Sequence, residues 1–332
     1  MRLSILLIFV ALLLVGCPAA SKDALVVYCA HDAAFSQSVL EEFERETGIP
    51  VSVKFDTEAT KSLGLVNLII READAPRCDV FWNNETLGTI DLARRGLTES
   101  CKGPGFDRIP DRYKDPDGLW CGFAARIRVW IVNTDKMAAD EQAIDEAFEQ
   151  RLSEFTYAKP LFGTTLTHYC VLWSLMGGDE LKAFDARLRE QATMAASNGQ
   201  TRDLVAAGTC AFGWTDTDDF FGAVDRGSPV GMAPFRTEGG ATICIPNSVA
   251  IIKGTQRREQ AQRLVDWLLS RENELRLAKS ESRQVPLGDV GDAELPDEVQ
   301  QLLPFVEEGV DLSAAADVRA EVLEFLTATY AN

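Results

Sequence analysis

Apolar positions along this chain change rhythm from segment to segment, and each rhythm predicts an element. ALVVYCA (24–30) is a short continuous apolar run, the pattern of a strand buried on both faces. In the next segment Val39, Leu40 and Phe43 share one helical face, and Gly48 stands where a left-handed cap ends a helix. PVSVKF then alternates Val51, Val53 and Phe55, which predicts a half-exposed strand. A helical stretch near 61–73 leads to CDVFWN (78–83), again a buried strand. Strand, helix, strand, helix, strand predicts a parallel α/β unit, whose ligands sit beyond the carboxyl ends of the strands. Those ends are polar here: His31-Asp32, Asp56-Thr57-Glu58 and Asn83-Asn84-Glu85.

Further along, RIRVWIVNT (126–134) alternates Ile127, Val129 and Ile131 with Arg126, Arg128 and Trp130, and is long enough to connect two lobes. Residues 136–235 repeat the α/β alternation, and ATICIPNSVAIIKG (241–254) predicts a second long β stretch returning to the first half. Ala261, Leu264, Val265, Leu268 and Leu269 recur at helix spacing, and the last part reads as helical.

The amino terminus changes the picture. MRLSILLIFVALLLVGCPAA carries Arg2, an apolar run from Leu3 to Val15 too short for a comfortable bilayer span, and then Gly16-Cys17. This resembles a bacterial lipobox, which implies a signal peptide over 1–16, lipidation of Cys17 and a tether over 17–23. An ordinary secretory signal or a short anchor with an incidental cysteine is the alternative. The remaining chain exceeds what one hydrophobic core usually serves, so two lobes are expected.

The net charge of −18 disfavours nucleic acid and anionic membrane as partners. Of eight cysteines, seven remain after Cys17, and an exported chain with an odd number leaves at least one thiol free. Cys101 and Cys121 flank a loop rich in Gly, Pro and Asp and are the expected disulfide pair. No Cys-x-x-Cys occurs and only two histidines are present, so zinc-ribbon and thioredoxin chemistry lack their ligands.

With these segments in order, the chain resembles a type II periplasmic solute-binding protein, and within that class the binding proteins of ferric-iron ABC importers. The matching stretches are VVYCAHD, FERETGIPVSV, PRCDVFWNNE, GFAARIRVWIVNTDK, PLFGTTLTH, NSVAIIKGTQRREQAQRLVDWLLS and RQVPL. The resemblance implies an α/β, two-lobed fold with two crossing strands as hinge, lobe 1 from 24–130 and 245–332, and lobe 2 from 131–244. It also implies a lipid-anchored monomer in the periplasm or at the outer face of the cell membrane that hands a small molecule or metal, Fe(III) or another, to an ABC permease and its ATPase. That ligand is cargo, and no catalytic cofactor is implied. Ferric members carry a tyrosine pair where this chain has GWTDTDD, and no tyrosine lies between Tyr169 and Tyr330. A small phosphorylated or zwitterionic organic solute is therefore the alternative ligand, and an exported enzyme on the same scaffold the alternative function. For a hydrolase, His168 and Cys170 stand two apart, a spacing at which helical side chains do not face each other.

Candidate ligand residues follow from strand ends and helix starts. In the first half they are His31, Asp32, Glu58, Asn83 and Glu85. In the second, Gly163, Thr164 and Thr165 open a helix whose backbone N–H groups suit an anion, while Thr165 as a simple helix cap is the other reading. Trp214, Thr215, Asp216 and Asp218 end the strand that begins FGW. His31, Glu58, Asp216 and Asp218 are the candidate metal set. Helix capping by Thr215 or Thr217 competes with a ligand role for the aspartates.

Overall fold

The computed structural model describes residues 23–31, 33–56 and 63–330. The predicted lipid-bearing Cys17, and with it Asp32 and Glu58, lie outside the described residues. The chain begins with β1 (Leu25–Cys29), α1 (Ala33–Thr47), β2 (Val51–Phe55), α2 (Leu63–Arg71), β3 (Val80–Asn83) and α3 (Leu87–Arg94). Short β4 (Thr98–Glu99) and α4 (Pro104–Asp107) precede the long β5 (Cys121–Asn133). Then come α5 (Glu141–Gln150), β6 (Phe155–Ala158), α6 (Gly163–Met176), α7 (Gly178–Gln191), β7 (Thr193–Ala195), α8 (Asn198–Ala206), β8 (Phe212–Asp216), α9 (Thr217–Val224) and β9 (Val230–Pro234). After β10 (Cys244–Ile252) the chain is helical: α10 (Arg258–Leu268), α11 (Arg271–Ala278), α12 (Asp297–Gln300), α13 (Leu303–Glu307) and α14 (Ser313–Tyr330).

Strands pair in the order β2-β1-β3-β10-β5-β8-β6-β7, with β4 added to β10 and β9 to β5. β1 runs parallel to β2 and β3, as the alternating strand and helix pattern demands. β1 and β3 are buried along almost their whole length, whereas β2 is half-buried. The α1 face of Val39, Leu40 and Phe43 is buried against this sheet, and Gly48 at φ +70° ends the helix as expected.

β5 joins the two halves. Its first part, Cys121 to Ile127, pairs antiparallel with β10, and from Arg128 onward it pairs with β8. The change of partner thus falls between Ile127 and Arg128, three residues before the expected boundary. A register shift at Pro246/Asn247, opposite Ala125 and Phe123, interrupts the β10 pairing shortly before that change.

The expected assignment of all residues after 244 to lobe 1 needs correction. Helix α14 shares an apolar cluster with α6: Leu326, Val322 and Ala315 bury with Leu166, Tyr169 and Leu172. Tyr330 donates to Asp185 of α7 at 2.5 Å. The last helix thus covers the second lobe, while Arg94 on α3 holds Asp317 at 2.6 Å from the first. Burial of its apolar face, rather than its position in sequence, decides where it packs.

The Cys101–Cys121 pairing is not formed. Both are buried free thiols, and burial pushes Cys101 up to about 12. Among the described residues no helix is long and apolar enough to cross a membrane.

Candidate functional site

At the carboxyl ends of β6, β7 and β8, a cleft of about 1040 Å3 opens between the halves. Ala33, Phe35 and Asn84 line it from the first half, while the starts of α6, α8 and α9 line it from the second. Three strand-to-helix turns therefore point their first residues into one space, as expected for open α/β sheets.

The centre of the second-lobe wall is Asp216. It stands directly opposite Arg128 in the β5–β8 ladder, and Arg128 Nη1 donates to its Oδ1 at 2.8 Å. Its other oxygen accepts from Thr164 Oγ1 at 2.5 Å and from Asn198 Nδ2 at 2.9 Å. Asn198 Nδ2 also reaches Thr164 Oγ1 at 2.8 Å, and Thr165 Oγ1 donates to Asn198 Oδ1 at 2.9 Å. Asp216 thus ties the starts of α6 and α8 together. Arg128 is fully buried, and its Nε donates to His168 Nδ1 at 3.3 Å. Burial first, and the guanidinium second, push His168 well below its usual range, so the ring is neutral and can accept.

The neighbouring carboxylates are likewise matched by arginines. Asp218 Oδ2 lies 3.6 Å from Arg126 Nε, and Asp219 Oδ1 3.3 Å from Arg202 Nη1. Thr215 Oγ1 donates to Asp219 Oδ2 at 2.9 Å. Burial, then the negative charges of Asp218 and Asp216, push Asp219 up to about 7. Oxygens of Asp216, Asp218 and Asp219 fall within 4.8 Å of one another, close enough for a shared cation. The three guanidinium partners already neutralise that set, so a hard cation would have to displace them.

The start of α6 has a different character. Phe162 occupies the cap position and makes no side-chain capping bond, and Gly163 takes φ +52°. The hydroxyls of Thr164 and Thr165 serve Asp216 and Asn198, so Thr165 is not the helix cap. The first N–H groups of a helix have no partner within it, and here they border the cleft.

Of the sequence-derived candidates, Gly163, Thr164, Thr165, Asp216 and Asp218 come together at this wall. Others have different tasks. His31 is buried, edge-on to Trp82 at 5.5 Å, with Nε2 2.8 Å from Gln284 Nε2. Asn83 is buried and donates to Glu85 Oε1 at 2.9 Å and Thr89 Oγ1 at 3.3 Å. Glu85 accepts from the backbone N–H groups of Leu87 at 2.5 Å and Gly88 at 2.8 Å, so it caps α3 instead of reaching a ligand. Trp214 is packed among Trp130, Phe155 and Phe235 on the apolar side of β8, and Thr215 is buried. Alternation puts Trp214 and Asp216 on the same face of β8, so position along the strand separates them: Asp216 is the last residue and borders the cleft, while Trp214 lies two residues deeper among the rings. The capping role considered for Thr215 and Thr217 is also absent. Asp216 takes the cap position, and Thr217 Oγ1 accepts from the Ile127 backbone.

Asn84, from the expected polar end of β3, lines the cleft, and Arg126, Lys159, Asn198, Arg202 and Asp219 line it without having been expected there. Arg126 was visible as a charge alternating with apolar residues in RIRVW, and Asn198 in a Ser-Asn-Gly helix start. Their convergence depends on pairings between distant segments.

All five tyrosines are buried and none lines the cleft. Tyr28 donates to Glu72 at 2.9 Å, Tyr113 to the Val306 carbonyl at 2.6 Å and Tyr169 to Asp185 at 3.1 Å, while Tyr157 lies 3.4 Å from Tyr330. Burial raises the pKa of each.

The profile of a family described as bacterial extracellular solute-binding protein matches residues 38–300. An Fe(3+)-binding periplasmic protein of Serratia marcescens is 21% identical over 321 residues, 94% of this chain and 92% of that protein. Iron-bound HitA from Pseudomonas aeruginosa superposes with a TM-score of 0.77 at 20% identity, covering 91% of this chain and 99% of the other. The periplasmic binding protein AfuA from Actinobacillus pleuropneumoniae, with exogenous fructose-6-phosphate bound, gives 0.75 at 20% identity, covering 93% and 98%. At these identities the structural likeness concerns the fold.

Proposed function

This chain belongs to the bacterial extracellular solute-binding protein family, and from that premise we propose that it captures a small phosphorylated or zwitterionic organic solute for an ABC permease and its ATPase. It is a carrier and not an enzyme. Cys17 bears the lipid that holds it at the periplasmic or outer face of the membrane. The observation carrying the ligand class is the charge state of the cleft wall. Asp216, Asp218 and Asp219 each face an arginine, while the beginning of α6 offers N–H groups and Arg126 and Arg202 border the same space. Such a wall suits an anion with further polar groups. The volume of the cleft also suits an organic body rather than a bare ion. The bound sugar phosphate in AfuA supports the same reading.

The ligand docks on the second-lobe wall, and rotation about the crossing region of β5 and β10 brings Phe35 and Asn84 onto it. A thermal-shift screen of the mature chain tests the ligand class, using sugar phosphates, amino-phosphonates, polyamines, divalent metals and ferric citrate. Stabilisation by phosphorylated solutes is expected, and stabilisation by metals alone overturns it.

Ferric iron is the second reading, favoured by the Fe(3+)-binding relative from Serratia and by the three carboxylates within 4.8 Å. It would have to proceed without phenolates, since every tyrosine hydroxyl is engaged elsewhere. Adding ferric citrate should therefore give no visible ligand-to-metal band of the tyrosinate type. Thermal stabilisation by ferric citrate that is lost in Asp216→Asn or Asp218→Asn would favour iron.

A further inference from the structure

The cations of the cleft are not equivalent. Arg126, Lys159, Arg202 and Arg226 all line it. Arg126 faces Asp218 at 3.6 Å; Arg202 faces Asp203 at 2.9 Å and Asp219 at 3.3 Å; Arg226 faces Asp203 at 3.2 Å. Among the described residues Lys159 makes no ion pair. It follows the last residue of β6, and its backbone N–H donates to the Ala195 carbonyl at 2.8 Å, which fixes its Cα at the carboxyl edge of the sheet. From there a half-buried, four-carbon side chain carries a compact positive charge into the space bordered by Gly163, Thr164 and Asn198.

Arginines held by internal carboxylates contribute little net charge to an incoming anion. The N–H groups at the start of α6 act as partial charges only. Among the described residues Lys159 is the cleft cation without a carboxylate partner; of the other acidic groups lining the cleft, Asp225 is held by Arg283 at 2.7 Å and Glu281 makes no ion pair.

We infer that Lys159 is the specificity-determining residue for ligand charge, selecting dianionic phosphate monoesters over monoanionic analogues. The inference rests on the phosphorylated-solute reading of the cleft. A phosphate monoester carries between one and a half and two negative charges at neutral pH because its second ionisation lies near 6. A sulfate ester of the same shape carries one. Lys159 therefore rewards the second charge, while the α6 amides and the cleft arginines recognise the tetrahedral oxygens common to both.

Calorimetric titration of the mature chain tests this with glucose 6-phosphate, fructose 6-phosphate and glycerol 3-phosphate, each against its sulfate ester. Wild type is expected to prefer phosphate by about tenfold at pH 7.5, and that preference should shrink as the pH falls to 5.5 and the phosphate takes up its second proton. Lys159→Met should lower phosphate affinity by about tenfold and sulfate affinity by only about threefold, because the interaction scales with ligand charge, and should flatten the pH dependence. Lys159→Arg should restore most of the preference, which a purely structural role for the side chain would not require. A Lys159→Met protein that keeps the preference overturns the inference while leaving the phosphorylated-solute reading intact. If wild type binds neither series, that reading and this inference fall together.

Discussion

Arg128 and Asp216 sit directly across the β5–β8 ladder from one another, both buried, with Nη1 and Oδ1 2.8 Å apart. This pair is the point at which the connecting strand meets the ligand wall. The same carboxylate orders Thr164 and Asn198, so one contact aligns two helix starts.

Removing Asp216 leaves a buried guanidinium without its counter-charge. Such losses cost about 3–5 kcal/mol, and Asp216→Ala should lower the urea midpoint accordingly. Ligand binding should weaken as well, because Thr164 and Asn198 lose their common acceptor. An unchanged midpoint would show that the pair is not what holds this wall.

Asp218 should behave differently. Its contact to Arg126 is longer, 3.6 Å, and it competes with any incoming anion for that guanidinium. Asp218→Asn is expected to tighten the binding of phosphorylated solutes by about 3- to 10-fold in a calorimetric titration. Weaker binding would mean that Asp218 itself holds the ligand, as an ammonium partner would require.

Asp219 supplies the pH dependence. Its folded pKa is about 7, above the ordinary value near 3.8, so between these limits the folded state holds more protons than the unfolded state. Stability from this group is present at low pH and is lost as pH rises from about 4 through 7. Asp219→Asn should therefore flatten the decline in Tm across that window relative to wild type. Parallel profiles for the two proteins would contradict the buried, mutually repelling carboxylates described here.

The carboxyl-terminal helix tests the corrected lobe assignment. Asp185 accepts from Tyr330 at 2.5 Å, Tyr169 at 3.1 Å and Arg189 at 2.9 Å, and is fully buried. Tyr330→Phe should cost about 1.5–3 kcal/mol, the range for a hydrogen bond to a charged group. Ending the chain at Leu312 removes all of α14 and uncovers the apolar side of α6. Loss of cooperative unfolding is expected, and a truncated protein with wild-type stability would rule out the role of this helix as a cover.

Much of the architecture was legible locally. Continuous apolar runs marked β1 and β3, the Val39-Leu40-Phe43 spacing marked α1, and the alternation in RIRVW marked the connecting strand, because burial on one or two faces leaves a period in the sequence. Of the polar strand ends in the first half, Asn84 is the described residue that lines the cleft. Within that region, residue type was a poor guide to task. Glu85 and His31 have the chemistry of ligands, yet the first caps a helix and the second packs against Trp82 and Gln284.

By itself, then, the sequence determined the alternation of strands and helices, the export-type leader pattern, the acidic surface charge and the absence of a tyrosine pair after Tyr169. These are properties of composition and short-range order. Tertiary structure alone decided that three aspartates meet three arginines, that Lys159 lines the cleft without an ion pair among the described residues, and that α14 covers the second lobe. Each of these depends on which distant segments share a ladder or an apolar face. A charge in a sequence has no fixed partner until folding brings one within a few ångströms and removes the water between them.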